Sequence, residues 1–364
     1  MLEAKHKNFV APGFEIEVDG KKLPLDKFAI MNLQINIPVT VGLRSMVSEA
    51  SQCQFTVAGM YDLKNHKFTE SALETLKMGK KIVINGGYST KSCLFVGYIQ
   101  YVSTDFSSDG AYITVSGIDS STLLNLGKQV SGFENQDANQ VVKELVSLCT
   151  VNGFAKSGSN IGRFSNTKIH FNQFNRSNNE FLNFLARREG YTFAIIHGEV
   201  IIKDLLKTTA PIVELTYGES LMSFSKAIDL SHQIGGVKVT GKNDKMEPIE
   251  GEVTKCSIGK TGKNSALDLM PKIKDYKMDA MDPIAEDAAS LKKIAQSIMN
   301  EYAVMLVSGR GMCIGLPELY PGRYIKLSGM DSKTNGTYFL TRVTHSFGSN
   351  GYVTYFEVKG AWTN

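Results

Sequence analysis

The chain opens with apolar and polar residues alternating at period two. "FEIEVDG", "FAIMNLQINIPV" and "CQFTV", between Phe14 and Val57, show this pattern and are separated by Gly, Pro and Asp, which predicts strands joined by turns. "FTESALETLK" (Phe68–Lys77) shifts to helical spacing and stops at Gly79. Strand patterning then returns in "GKKIVING" (Gly79–Gly86), in "CLFVGYIQYVSTDF" and, after the turn "SSDG", in "AYITVSGID" (Ala111–Asp119). A β-rich section with one short helix is therefore expected over residues 1–126.

The period changes in the middle of the chain. Asp137 stands three residues before Gln140, a capping box in which side chain and backbone satisfy each other's orphan groups. Val141, Val142, Leu145, Leu148 and Cys149 follow at helical spacing. A second box, Ser177 with Glu180, precedes Phe181, Phe184 and Leu185, and Arg188 and Gly190 mark the helix end. "YTFAIIHGEVIIKD" then reads as a hairpin turning at His197-Gly198. Strands resume in "IVELTY", "SFSKAIDL" and "GGVKVTGKND". A polar, lysine-rich stretch over about 242–280 is read as a loop excursion, being too long for an ordinary connection. Asp282 as N-cap with Pro283 behind it predicts a helix over about 283–305, with Glu286 and Asp287 favouring the dipole of its first turn. "VSGRGMCIGL", "RYIKLSG", "TYFLTRVTHSF" and "GYVTYFEVKGA" close the chain as strands.

One stretch is written twice. "GKKIVING" returns as "GRYIKLSG" (Gly322–Gly329), and the likeness extends from "FVGYIQYVSTDFSSDGAYITVSG" to "YFLTRVTHSFGSNGYVTYFEVKG". Gly79, Gly86, Phe106 and Gly110 fall opposite Gly322, Gly329, Phe347 and Gly351. Shared turn chemistry between any two meanders is the plainer reading. The more specific one is duplication of one antiparallel β-barrel, mainly β with α (α+β), with a helical segment between the copies. Three copies of such a chain in a closed ring would present six similar faces.

Composition narrows the classes. At 364 residues the chain has room for two or three domains, and 42% hydrophobic with 21% charged residues is ordinary for a globular protein. No segment nears the roughly 18 apolar residues of a membrane helix, so no membrane insertion is expected. "MLEAKHKNFVAPGFEIEV" lacks the layout of a secretion signal. A net charge of +4, with basic and acidic residues interspersed, gives no reason to expect nucleic acid recognition. Cys53, Cys93, Cys149, Cys256 and Cys313 are far apart and read as reduced, buried thiols. His6, His66, His170, His197, His232 and His345 stand singly, so neither metal nor cofactor is expected. His345, between Val343 and Phe347, reads as a packed, hydrogen-bonded strand residue. "SIGKTGK" (Ser257–Lys263) lacks the first Gly of a phosphate loop and reads as a flexible basic loop facing an acidic neighbour. No paired carboxylates or nucleophile with its base stand out, and no enzyme activity is expected. Tyr352, Tyr355 and Phe356 are open between core and contact surface.

Three segments carry a family likeness. "FNQFNRSNNEFLNFLARREGYTF" (Phe171–Phe193) resembles the signature of phage late control protein D and of VgrG-type hub proteins, with Ser177, Phe181, Leu182, Leu185, Arg188, Glu189, Gly190, Tyr191 and Phe193 in its places. "LYPGRYIKLSGM" and "NGTYFLTRVTHSF" (Leu319–Phe347) resemble the family's terminal segment, and "GKKIVINGGYS" with "LFVGYIQYV" its first-barrel pattern. The resemblance implies a homotrimeric baseplate hub of a contractile injection particle, whether phage tail, tailocin, extracellular injection system or type VI secretion. It implies two tail-tube-like barrels, over 1–126 and 209–364, around an insert over 127–208. The inner tube or a tube-initiator protein would sit above, a spike below and other baseplate proteins alongside. The machine would assemble in the cytoplasm and then form part of the virion or injection particle. VgrG proteins carry an OB-fold and a β-helical spike after the hub, whereas this sequence stops at Trp362-Thr363-Asn364, so a separate spike protein is expected. The rivals are a tail-associated cell-wall hydrolase and a six-fold tail-tube initiator.

Overall fold

A computed structural model of the chain describes residues 6, 9–25, 29–41, 47–165, 171–243, 245–282 and 287–364. Pro283 and Glu286, two of the expected helix-start residues, and His170 lie outside them. With 47% strand against 18% helix, the chain is mainly β with a few helices.

The first section holds β1 (Gly13–Val18), β2 (Lys21–Lys22), β3 (Ala29–Pro38), β4 (Gln52–Ala58), β5 (Tyr61–Asp62), β6 (Lys67–Phe68), helix α1 (Glu70–Thr75), β7 (Lys81–Gly87), β8 (Lys91–Ser107) and β9 (Gly110–Ile118). Its main strands are hydrogen-bonded in the order β1-β7-β8-β9-β4-β3. Alternation works as the sequence pattern requires: Ile113 and Val115 of β9 point into a core with Ile35, Phe55, Ile82 and Phe95.

The insert follows, with a 3-10 turn (Ser120–Asn125), β10 (Gln129–Phe133), α2 (Ala138–Thr150), β11 (Lys156–Ile161), β12 (Phe171–Arg176), α3 (Asn178–Arg188), β13 (Thr192–Ile196) and β14 (Glu199–Lys203). Both capping boxes form, at Asp137 with Gln140 and at Ser177 with Glu180. The β13–β14 hairpin turns at His197 and Gly198, both at positive φ, the geometry that matches strand twist.

The last section holds β15 (Pro211–Thr216), β16 (Leu221–Ile228), β17 (Gly236–Lys242), β18 (Pro248–Val253), α4 (Ala266–Leu269), a 3-10 turn (Pro271–Asp275), β19 (Lys277–Met281), α5 (Ala288–Ala303), β20 (Val307–Ile314), β21 (Tyr324–Ser328), β22 (Gly336–Gly348) and β23 (Gly351–Gly360). Six of its strands are ordered β15-β21-β22-β23-β20-β16. Taken in chain order, this is the arrangement of the first section again. The match reaches single residues. Ile99 faces Gly117 as Leu340 faces Val358, and immediately afterwards both ladders skip one residue, to Tyr101 and to Arg342. One departure stands out: β1 runs antiparallel to β7, but β15 runs parallel to β21.

Among the described residues, the pairings close neither run into a barrel. Residues 342–347 of β22 pair instead with 33–38 of β3, and both runs continue as one 13-stranded sheet. The buried residues form two main clusters across the sheet: the one around Ile35, Phe55, Ile82 and Phe95 also takes in Phe339, Phe347 and Tyr352 of the second run, and the other gathers around Leu215, Cys313, Leu327, Val343 and Phe356.

Two expectations need correction. The lysine-rich stretch is not a loop, because β18 and β19 flank β17 in a three-stranded sheet that α5 covers through Leu291, Ala295 and Met299. The helix starts later than expected, at Ala288, with Asp287 rather than Asp282 as N-cap; the Asp287 carboxylate accepts the Ser290 backbone N–H at 2.7 Å. Helix and sheet meet at Gly251, where a Cβ would stand 2.3 Å from the Lys292 nitrogen and 2.6 Å from the Leu291 carbonyl carbon. Gly251→Ala is therefore expected to destabilise by about 1–3 kcal/mol, seen as a lower urea midpoint. Gly132→Ala, whose nearest neighbour would be the Asn172 side chain at 3.6 Å, is expected to stay within about 0.5 kcal/mol.

Candidate functional site

The motif segment 171–193 builds α3 and its surroundings. Ser177 Oγ accepts the Glu180 backbone N–H at 3.1 Å, and Glu180 Oε2 accepts the Ser177 N–H at 2.6 Å. This fixes the first turn, so Phe181, Leu182 and Leu185 enter the insert core against Val141 and Leu145 of α2. The Phe181 ring stacks between Phe133 and Phe184, at centroid distances of 5.5 and 6.1 Å.

A polar face ties the same helix to the first section. The Ser48 N–H donates to Asn179 Oδ1 at 3.1 Å, and the Ser48 hydroxyl lies 2.7 Å from the Phe193 carbonyl oxygen and 2.9 Å from Asn183 Oδ1. Nearby, the Ser51 N–H donates to the buried Asp119 carboxylate. Burial pushes the Asp119 carboxyl upward, and hydrogen bonds from Ser121 and Ser51 oppose that shift.

The charged end of α3 reaches the last section. Arg187 Nε donates to Glu301 Oε1 of α5 at 2.7 Å, while a second nitrogen of the guanidinium meets the other carboxylate oxygen. Arg188 pairs with Asp282, and Lys293 Nζ donates to Glu189 Oε2 at 2.6 Å. Gly190 ends the helix at positive φ, and the Tyr191 hydroxyl donates to the Arg163 carbonyl at 3.0 Å. In the sequence, Arg188 marks the helix end and fills a place in the family signature. Its partner lies 94 residues away, beyond any local pattern. The motif thus acts as a brace: one short helix fastens the insert to the first section through Ser48 and to the last section through α5 and Asp282.

The repeat positions occupy corresponding places in unequal surroundings. Gly79, Gly110, Gly322, Gly329 and Gly351 take positive φ, whereas Gly86 makes room for Leu94 and Phe347. Phe347 is 6% exposed, stacked on Tyr352 and edge-on to Phe14, but Phe106 is 63% exposed and, among the rings of the described residues, touches only Tyr61 and Phe68. The difference follows from β3, which lies along β22 and has no counterpart along β8 among the described residues.

Other candidates resolve as follows. His345 is fully buried, its Nδ1 2.8 Å from the Tyr352 hydroxyl, and burial lowers it to about 3. His197 is lowered by burial to about 4. Tyr352 and Phe356 are core residues, and Tyr355 is exposed. The segment Ser257–Lys263 is a loop without helix or strand, tethered where Ser257 N–H donates to Asn300 Oδ1 at 2.8 Å, Trp362 Nε1 donates to the Ile258 carbonyl at 3.3 Å, and Lys263 N–H donates to the Thr363 carbonyl at 2.9 Å. Cys53, Cys149 and Cys313 are buried; Cys93 and Cys256 are half-buried. No helix among the described residues is long and apolar enough to cross a membrane.

A sequence-family model described as the Alg8 N-terminal domain matches residues 10–348. No curated protein matches the sequence. The 43 kDa tail protein of prophage MuSo2 from Shewanella oneidensis is similar in structure, with a TM-score of 0.65 over 96% of this chain and 98% of the other at 14% identity. A tail protein from Neisseria meningitidis MC58 gives 0.67 over 97% and 99% at 11% identity. An Escherichia coli component of the type VI secretion system, which exhibits structural similarity to bacteriophage T4 tail proteins gp27 and gp5, gives 0.57 over 96% and 78% at 13% identity. The fold is that of these tail proteins.

Proposed function

We propose a structural role in a contractile injection particle for this chain, which belongs to the Alg8 N-terminal domain family. In this reading it is a homotrimeric baseplate hub, joining a six-fold inner tube, or its initiator protein, to a separate three-fold spike among other baseplate proteins. The observation that carries the reading is the six-strand order written twice in one chain. Each run stands for one tube-like barrel wall, so three chains offer six similar faces upward and keep three-fold symmetry below. The brace around α3 supports it further, because a symmetry adapter works only if its two halves hold a fixed relation. The likeness to tail proteins from two bacteria supports the same role, with assembly in the cytoplasm before incorporation into the particle.

The hub reading makes the chain non-enzymatic. The family's name is glycosyltransferase-related, which gives catalysis its one supporting observation. Native mass measurement of the purified chain is expected to find three subunits, with no turnover of nucleotide sugars and no clearing of a peptidoglycan zymogram. A six-subunit ring would replace the hub by a tube initiator, and turnover or clearing would replace it by an enzyme.

A further inference from the structure

We infer that the outward face of residues 255–276 is a docking surface for an acidic segment of another protein. The inference goes beyond the hub reading and is indifferent to the number of subunits. This stretch carries Lys255, Lys260, Lys263, Lys272 and Lys274 against Asp268 and Asp275, an excess of three positive charges in a sequence whose net charge is +4. One of the two acids is already engaged, since the Asp268 carboxylate accepts the Ser265 N–H at 2.7 Å and lies 2.8 Å from its hydroxyl. All five lysines are exposed, and none forms an ion pair among the described residues. The neighbouring sheet treats its lysines differently: Lys238 Nζ lies 2.6 Å from Glu250 Oε2, and Lys277 Nζ lies 2.7 Å from Glu252 Oε1. Charge is cancelled there and left open here, which makes this face attractive to carboxylates.

The lysines stand on backbone that is pinned from beneath. Ile258, Ala266 and Ile273 are buried at intervals along the stretch, and hydrogen bonds hold the segments between them. Gln296 Nε2 donates to the Lys255 carbonyl at 3.0 Å, the Thr363 N–H donates to the Asn264 carbonyl at 2.9 Å, and the Gly235 N–H donates to the Tyr276 carbonyl at 2.7 Å. A Cβ on Gly235 would stand 2.4 Å from the Ile273 carbonyl oxygen, so the turn there is seated directly on β17's approach. The stems of the lysines therefore start from fixed points, and a partner has less disorder to remove on binding. Between them Leu269, Met270 and Tyr276 are exposed, Tyr276 by 65%. Met and Tyr are residues that interfaces favour, with charge around them. These apolar residues select the partner: a nucleic acid would engage the lysines through its phosphates and leave Leu269 and Met270 in water, whereas a protein segment brings carboxylates and apolar side chains together.

The test uses the full chain and a fluorescent synthetic peptide of about twelve residues, Glu and Asp with two Phe, followed by anisotropy. The peptide is expected to bind with a Kd of about 10–100 μM at low salt, and about tenfold more weakly once salt rises from about 50 to about 300 mM. Lys263→Gln, Lys272→Gln and Lys274→Gln together should weaken binding about tenfold with an unchanged circular dichroism spectrum. Lys64→Gln with Lys128→Gln, exposed lysines of the other two sections, should leave it unchanged. Tyr276→Ser should weaken the peptide about threefold and leave a short DNA duplex unaffected. Equal binding by the triple variant and the wild type, equal binding of the peptide with Gln and Asn in place of its acids, or no binding at about 1 mM would overturn the inference. A duplex that displaces the peptide and is itself insensitive to Tyr276→Ser would overturn it in favour of nucleic acid. The subunit count of the wild type, three or six, decides the hub reading separately from all of these.

Discussion

Replacing Phe181 by Ala is expected to remove about 3–5 kcal/mol of stability, the usual cost of emptying a fully buried aromatic site. Phe181 has no exposed surface, and its ring lies nearly parallel to those of Phe133 and Phe184, at 12° and 14°. The loss should sit at the upper end because the walls cannot collapse. Both helices bordering the site are fixed by capping boxes, and α3 is also held through Arg187, Arg188 and Glu189. Phe184→Ala is expected to cost about 1–2 kcal/mol, since that ring is partly exposed beneath Arg176, whose guanidinium carbon lies 4.6 Å from its centroid. Urea unfolding followed by circular dichroism measures both. A Phe181→Ala loss below about 1 kcal/mol would mean that α3 is peripheral and not a brace.

Local signals carried far in this sequence, and distant ones not at all. The capping boxes at Asp137 and Ser177 and the turn at His197-Gly198 were legible because every partner lies within four residues. The doubled stretch was legible because strand alternation and turn glycines repeat in order. The sheet inside the lysine-rich stretch was not, since β18 turns Gly251 and Val253 toward α5, and the helix that buries them begins more than thirty residues later. A glycine facing a helix backbone has no hydrophobic signature. The join between β3 and β22 was hidden for the same reason. Its pairs, such as Ile37 with Val343, span most of the chain, and each strand alone reads as an ordinary half-buried strand. The brace, too, has no local signature, because the partners of Arg187 and Arg188 are fixed only by the packing of α5 and β19.

Acidification is expected to destabilise the fold from about pH 6.5 downward, through His345 and His197. An unfolded histidine takes its proton near 6.5, whereas burial lowers these two to about 3 and about 4. Between those values the unfolded chain binds protons that the folded chain refuses, so stability falls as pH falls. Each histidine contributes a slope of about 1.4 kcal/mol per pH unit, and neither contributes any slope well above 6.5. Asp119 works the other way, because burial raises its carboxyl and the folded form gains that proton first. The variant His345→Gln separates the two effects, since it removes one refused proton and leaves Asp119 in place. Its stability, measured by urea unfolding between about pH 6 and pH 4.5, should fall less steeply than that of the wild type by about 1.4 kcal/mol per pH unit. Equal slopes would show that the core around Tyr352 and Thr354 accommodates a charged imidazole, and the acid sensitivity of the second run would then need another cause.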